Sequence, residues 1–356
     1  MRPALASRTL ISALIGGAVV GSSPPLHGQE GLFSSGGAVE FVLEADWNVL
    51  DDDRGQDSEE RPGRVRLRNP SGQEVTIPVE VKTRGNFRLR RSTCFFPPLR
   101  LDFPEKGTEG TVFNGQDKLK LVTHCRDRES YEQNVLEEYL AYRIYNLLTD
   151  ASFRVRIARI TYVDTAGEID PVTRMAFFIE DESALAARVE GRIMDVPGAP
   201  PSHFQQDQAA LMYIFQFMIG NTDWAMTQFH NLKALGIGRD CFPVPYDFDW
   251  SGLVDAPYAG PNPKLVGVIA DVRERLYMGL CNDSIDYQAA YARFLEKREA
   301  ILALPRSVPG LSEGNQRSAV SYLEAFFQIL EVESAARRQI QASCRPIGGS
   351  KSTRSK

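Results

Sequence analysis

The sequence predicts an α+β protein in two lobes, a β-rich lobe holding one helix and then an α-rich lobe. Three observations carry that expectation. Alternating apolar and polar residues recur in short runs through 38–122 and fill most of 153–181. A single run of helical period interrupts them at 131–148, and beyond residue 182 helical spacing dominates. The chain of 356 residues is long enough for two compact units, and 43% hydrophobic with 24% charged residues is a globular composition. That composition excludes wholesale disorder, collagen and a long coiled coil. A net charge of −5 and a pI of 5.6 argue against nucleic acid as a partner, because phosphate binding calls for a basic field.

Each element has a local reason. Residues 38–49 alternate as a strand, and the acid-rich 51–60 reads as a solvated loop. RVRLR, NPSGQ and EVTIPVEVKT over 64–83 form two alternating arms around a turn. LRLDF (99–103) and KLKLV (118–122) continue the sheet. Ser130 is placed to cap the helix that follows, with Gln133 as its capping-box partner. FRVRIARITYVD (153–164) and TRMAFFIED (173–181) read as two further strands. The second half offers a short helix at 182–191, a Pro/Gly loop at 196–203 and a strongly apolar helix at 207–221. A proline-bracketed loop at 242–252 and two long amphipathic helices at 284–304 and 317–341 complete it. The expected organisation is a signal peptide at 1–29, a β-rich lobe at 30–181, a helical lobe at 182–345 and a basic tail at 346–356.

The signal-peptide expectation rests on Arg2 and Arg8, the apolar run Leu10 to Val20 and the small polar stretch after it. A run of eleven residues is too short for a membrane span, which takes about 20. Export to the envelope or beyond places the five cysteines in an oxidising compartment. No CxxC pair is present, which argues against zinc. Two disulfides with one spare thiol fit; Cys94 with Cys125 is the first pair expected and Cys241 with Cys281 the second.

Two acidic motifs carry the chemistry. Gly220-Asn221-Thr222-Asp223-Trp224 ends the apolar helix and is followed by His230-Asn231. Pro245-Tyr246-Asp247-Phe248-Asp249-Trp250-Ser251-Gly252 comes next. Closely spaced carboxylates among apolar neighbours repel one another, and a hard cation such as magnesium relieves that. Upstream, Arg84-Gly85-Asn86 follows a strand.

These motifs, in this order over roughly residues 80–255, resemble the loops of the CotH kinase-like family of spore-coat atypical protein kinases, and more closely a secreted branch of it. The resemblance implies a two-lobed protein-kinase-like fold. It implies ATP and Mg2+ as cofactors and transfer of the γ-phosphate to Ser or Thr of a protein acceptor. Asp223 would then be the catalytic aspartate and Asn231, Asp247 and Asp249 the metal ligands. Lys120 with Glu137 would be the phosphate-side ion pair, with Lys118 and Glu138 as the alternative and Lys82 as a rival lysine. Arg84 would donate to a phosphate. Three departures stand. Gln228 occupies the position where kinases place the asparagine, the stretch CFFPPLRLDF (94–103) has prolines where the family's basic segment has lysines, and no Gly-rich phosphate loop is evident. A kinase-like envelope module without turnover therefore competes with the enzyme. So does a carboxylate hydrolase using Asp223 with Asp247 or Asp249.

Overall fold

The computed structural model describes residues 31–34, 37–196, 198–265 and 267–346. The expected signal peptide lies outside the described residues, as does all of the basic tail beyond Pro346.

Seven strands form a closed barrel: β1 (Val39–Ala45), β2 (Arg61–Arg68), β3 (Glu74–Thr83), β4 (Leu99–Asp102), β5 (Lys118–Val122), β6 (Val155–Asp164) and β7 (Val172–Ile179). Their order around the barrel is β1-β2-β3-β4-β5-β7-β6. Period-2 alternation explains the interior. Phe41 and Leu43, Val65 and Leu67, Ile77 and Val79, Leu101, Leu121, Ile160 and Phe178 all turn inward and are buried. Closure comes from β1, which pairs antiparallel with β2 and parallel with β6, Val39 opposite Ala158 through Ala45 opposite Asp164. Where β2 passes between its neighbours, Gly63 leaves no room for a side chain; a Cβ there would stand 2.7 Å from Val81 Cγ2 and 2.9 Å from the Glu44 carbonyl.

Among the described residues the helices are α1 (Trp47–Asp52), α2 (Glu129–Leu148), α3 (Glu182–Arg188), α4 (Gln206–Ile219), α5 (Tyr287–Ser307), α6 (Glu313–Glu331) and α7 (Glu333–Gln339). A second sheet, ordered β10-β9-β8, is built from β8 (Gly191–Met194), β9 (Leu232–Ile237) and β10 (Asp240–Pro245). One continuous core joins α2, the outer faces of β6 and β7 (Ile157, Phe177) and α4 to α7.

This architecture overturns the expected two-lobed kinase-like fold. The sheet closes on itself as a seven-stranded mixed barrel instead of standing as an open β-rich lobe. The helices of the second half share one core with the barrel wall and carry a sheet of their own. The pairing of β1 with β6, distant in sequence, makes the difference, and strand alternation alone does not encode which strands meet.

Local expectations meet mixed outcomes. The hairpin, α2 and the strands at 99–103 and 118–122 form where alternation and helical period place them. The proposed cap at Ser130 does not form: α2 starts at Glu129, and Gln133 instead takes Ser312 N–H at 2.8 Å and donates to the Gly310 carbonyl at 3.1 Å. Part of the proline-bracketed loop is strand β10, and the last long helix breaks at Val332 into α6 and α7. Cys94 is bonded to Cys125, as expected. Cys281 is bonded to Cys344, not to Cys241, which is a free buried thiol. The parallel bridge between Leu280 and Arg345 holds the second pair together in space. Both disulfides fit an extracellular protein. Among the described residues no helix is long and apolar enough to cross a membrane.

Candidate functional site

Helix α4 ends at Gly220, whose left-handed backbone (φ 66°) turns the chain sharply; a Cβ there would meet Tyr322 Oη at 2.1 Å. The turn starts the first acidic loop. Asn221 Oδ1 accepts the Asp223 N–H at 2.8 Å, and Trp224 plugs the core while donating to the Asn221 carbonyl at 3.1 Å. Ala225 and His230 exchange two backbone hydrogen bonds and close the loop. Asp223 Oδ1 lies 3.2 Å from His230 Nε2, and Asn231 Nδ2 donates to Asp223 Oδ2 at 3.2 Å.

The second acidic loop is stitched to the first. Tyr246 N–H donates to the Asn231 carbonyl, Gly252 N–H to the Gly220 carbonyl, and Asn221 bridges Ser251. Asp247 sits at φ 65° and donates its N–H to Tyr142 Oη on α2 at 2.9 Å. Phe248 points the other way, fully buried against Tyr142 and Phe215 with ring centroids 4.5 and 5.3 Å away. Asp249 accepts from Tyr258 O–H at 2.9 Å. The phenylalanine thus anchors the loop in the core, with an acid on either side of it lining the cleft.

Cations face these acids across a cleft of about 450 Å³. Arg84 and Arg88 come from the segment after β3, Lys120 from β5 and Lys233 from β9. Arg88 donates to the Thr123 carbonyl at 2.7 Å and stands 3.6 Å from Glu138 on α2. Lys120 and Lys233 each stand 3.1 Å from Glu182 Oε1.

Burial dominates the electrostatics. It raises Asp247, against the pull of Arg84 and Arg88. It raises Asp249 to about 7, with the Asp247 carboxylate adding to the effect. Glu138 is pushed well up by burial and by Asp249. Burial lowers Arg84, with Asp247 opposing; Arg88 is also penalised by burial, yet Tyr258, Asp249, Glu138 and Asp247 carry it above its ordinary value. Glu182 behaves oppositely: burial raises it, but the two lysines together bring it below the usual carboxylate range.

Seven residues read from the sequence therefore line one cleft: Asp223, Asn231, Asp247, Asp249, Arg84, Lys120 and the alternative glutamate, Glu138. Two do not. Lys118 is half exposed and pairs with Asp102 at 3.3 Å. Glu137 faces the C-terminal helices, bonded to Asn315 at 2.7 Å and Asn134 at 3.2 Å, and burial lifts it to about 7. One residue along a helix is a rotation of about 100°, so Glu138 lines the cleft and Glu137 cannot. Lys120 pairs with Glu182 in place of Glu137. Sequence reasoning missed Glu182, Lys233, Arg88, Tyr142 and Tyr258 as site residues. Arg88 and Lys233 each follow a quoted motif closely, which was the available signal.

Among the described residues no three His, Cys, Asp or Glu side chains are grouped as a complete metal cage. Magnesium takes one or two protein carboxylates and completes its octahedron with water and phosphate oxygens, so Asp247 and Asp249, with the unused Asn231 Oδ1, are hard donors of the fitting kind. No protein-family model matches the chain, and no curated protein matches it in sequence.

Proposed function

We propose that the cleft binds a magnesium-bound nucleotide such as ATP and transfers its terminal phosphoryl group to a Ser or Thr hydroxyl of a protein acceptor, as the CotH-like resemblance of the loops implies. The observation that supports this reading is the facing of Asp223, Asp247 and Asp249 against Arg84, Lys120 and Lys233 around one cleft. Asp249 is buried, Asp247 lines the same cleft, and desolvation there makes both resist ionising, a cost that a bound divalent cation removes. When bound, magnesium neutralises phosphate charge and supports the leaving group. Arg84, Lys120 and Lys233 are the phosphate donors in reach of the cleft. Asp223, held by His230 and Asn231, accepts the acceptor hydroxyl's proton as that oxygen bonds to phosphorus and the bridging P–O bond breaks. Export through the N-terminal segment belongs to the same reading, with the acceptor an envelope or secreted protein.

A binding module without turnover is the second reading. It is favoured by one observation: Arg84 and Arg88 already oppose the charge on Asp247, as a cation would. A thermal-shift titration of the full chain with ATP, with and without magnesium, separates the two. The enzyme reading expects a shift of several degrees that needs both magnesium and Asp247, together with label transfer from γ-labelled ATP. Magnesium-independent stabilisation that survives Asp247→Asn, without transfer, supports the module. No shift at millimolar nucleotide removes the enzyme reading and leaves the module as one that binds no nucleotide.

A further inference from the structure

The barrel carries a second cavity that shares no lining residue with the acid cleft. It holds about 330 Å³, within the range of small-molecule pockets. Three segments meet around it: α1 with Trp47 and Leu50, the loop before β4 with Phe95 and Phe96, and the β6–β7 hairpin with Tyr162 and Ile169.

The walls are held in place before any ligand arrives. The Cys94–Cys125 disulfide fixes the base of the Phe95–Phe96 loop, and Phe96 N–H donates to the Cys125 carbonyl at 2.9 Å. Arg54, which follows α1, donates to the carbonyls of Cys94 and Phe95 and so ties that helix to the same loop. Trp47, Phe96 and Tyr162 form a mutual aromatic wall with centroids 5.3, 4.7 and 5.6 Å apart. Phe95 and Ile169, 66% and 44% exposed, leave apolar surface at the mouth.

The surroundings restrict the ligand. Arg54 and Arg91 are both paired with Asp51, and Arg91 also with Asp52, so an anion finds no unpaired arginine at the rim. Asp170 is exposed and keeps its hydration. Within the wall, Trp47 Nε1 and Tyr162 Oη are buried donors with no hydrogen-bond partner among the described residues. A buried donor without an acceptor is costly, and an acceptor brought close by a small ring movement removes that cost.

We propose that this cavity binds a small uncharged molecule with an aromatic or alicyclic body and one hydrogen-bond acceptor. The probe is prodan, an uncharged naphthyl ketone whose emission moves to the blue in an apolar site, titrated against the full chain. Saturable binding with a blue shift is expected. Ile169→Glu and Phe95→Glu place charge at positions that are already exposed, so folding is spared; each should weaken binding about tenfold or more. Tyr162→Phe removes one of the two donors and should change the emission maximum of the bound probe. Val268→Glu, at an exposed apolar position that does not line this cavity, should change nothing. Saturating magnesium–ATP should not displace the probe. Absence of saturable binding overturns the proposal, as does binding indifferent to both lip variants. Equal loss in Val268→Glu, or displacement by ATP, overturns it as well, by placing the probe elsewhere.

Discussion

Asn231 gives one amide nitrogen to two oxygens of Asp223, the backbone carbonyl at 2.7 Å and carboxylate Oδ2 at 3.2 Å. The asparagine, eight residues beyond the aspartate, therefore acts first as the clamp of the loop that presents it. Its side-chain oxygen is left over for a further role.

That clamp can be tested by removing it. On the proposed phosphotransfer reading, Asn231→Ala should lower phosphoryl transfer by about 10²-fold, the usual cost of misplacing a reacting group, with a smaller effect on nucleotide affinity. Asn231→Asp should be worse, because it sets a second negative charge beside Asp223. Single-turnover kinetics with γ-labelled ATP separates the chemical step from binding.

Asp249 should cost stability as pH rises. Its folded pKa is raised to about 7 from an ordinary value of 3.8. Between those values the folded state holds a proton that the unfolded chain has released, so stability falls with rising pH. Asp249→Asn keeps an acceptor for Tyr258 and cannot ionise. It should be more stable than the parent at pH 8, by about 1–3 kcal/mol, and near parity at pH 4. Urea unfolding at the two pH values reads this directly; a variant that is weaker at pH 8 refutes it.

Lys120 and Lys233 should be redundant for folding and coupled in effect. Either alone still partners Glu182, so single changes to Met should each be mild. The double change strands a carboxylate whose side chain is 25% exposed. The lysines are about one-third exposed, so solvent screening limits the coupling to about 1 kcal/mol in a double-mutant cycle. The Glu182 pKa is lowered, so this contribution is present above its unfolded value and fades as pH falls through the carboxylate range.

Reduction should weaken the fold strongly. The two disulfides span 31 and 63 residues, and chain-entropy arguments assign each about 4 kcal/mol. Cys344→Ser should lower the urea midpoint, while Cys241→Ser should respond only as a buried apolar position does.

Much of the site was legible because its residues cluster in short motifs that follow rigid elements. Asp223, Asp247 and Asp249 could be read that way. Glu182 could not, since nothing in its own sequence indicates that strands from two different sheets bring lysines to it. Barrel interiors were legible strand by strand through alternation, but the β1–β6 pairing is a property of the assembled sheet. Pro243 and Pro245 hid strand β10: proline removes a ladder donor, yet β10 lies at the edge of its sheet, where that donor is dispensable. Neighbouring glutamates on α2 are separable only once the helix is oriented, which is why Glu137 stood in for Glu138.

The parallel seam between the first and sixth strands also sets an order of events. A ribosome releases β1 long before Ala158 to Asp164 exist, so the opening strand must wait while β2 and β3 zip beside it. Until the seam seals, two strand margins lie open to foreign pairing. Closure is thus a late, non-local step that should govern the refolding rate. A chain shortened past Ala45 would keep its acid cleft residues yet carry two permanent sticky margins, making association, before loss of the cleft, its first failing.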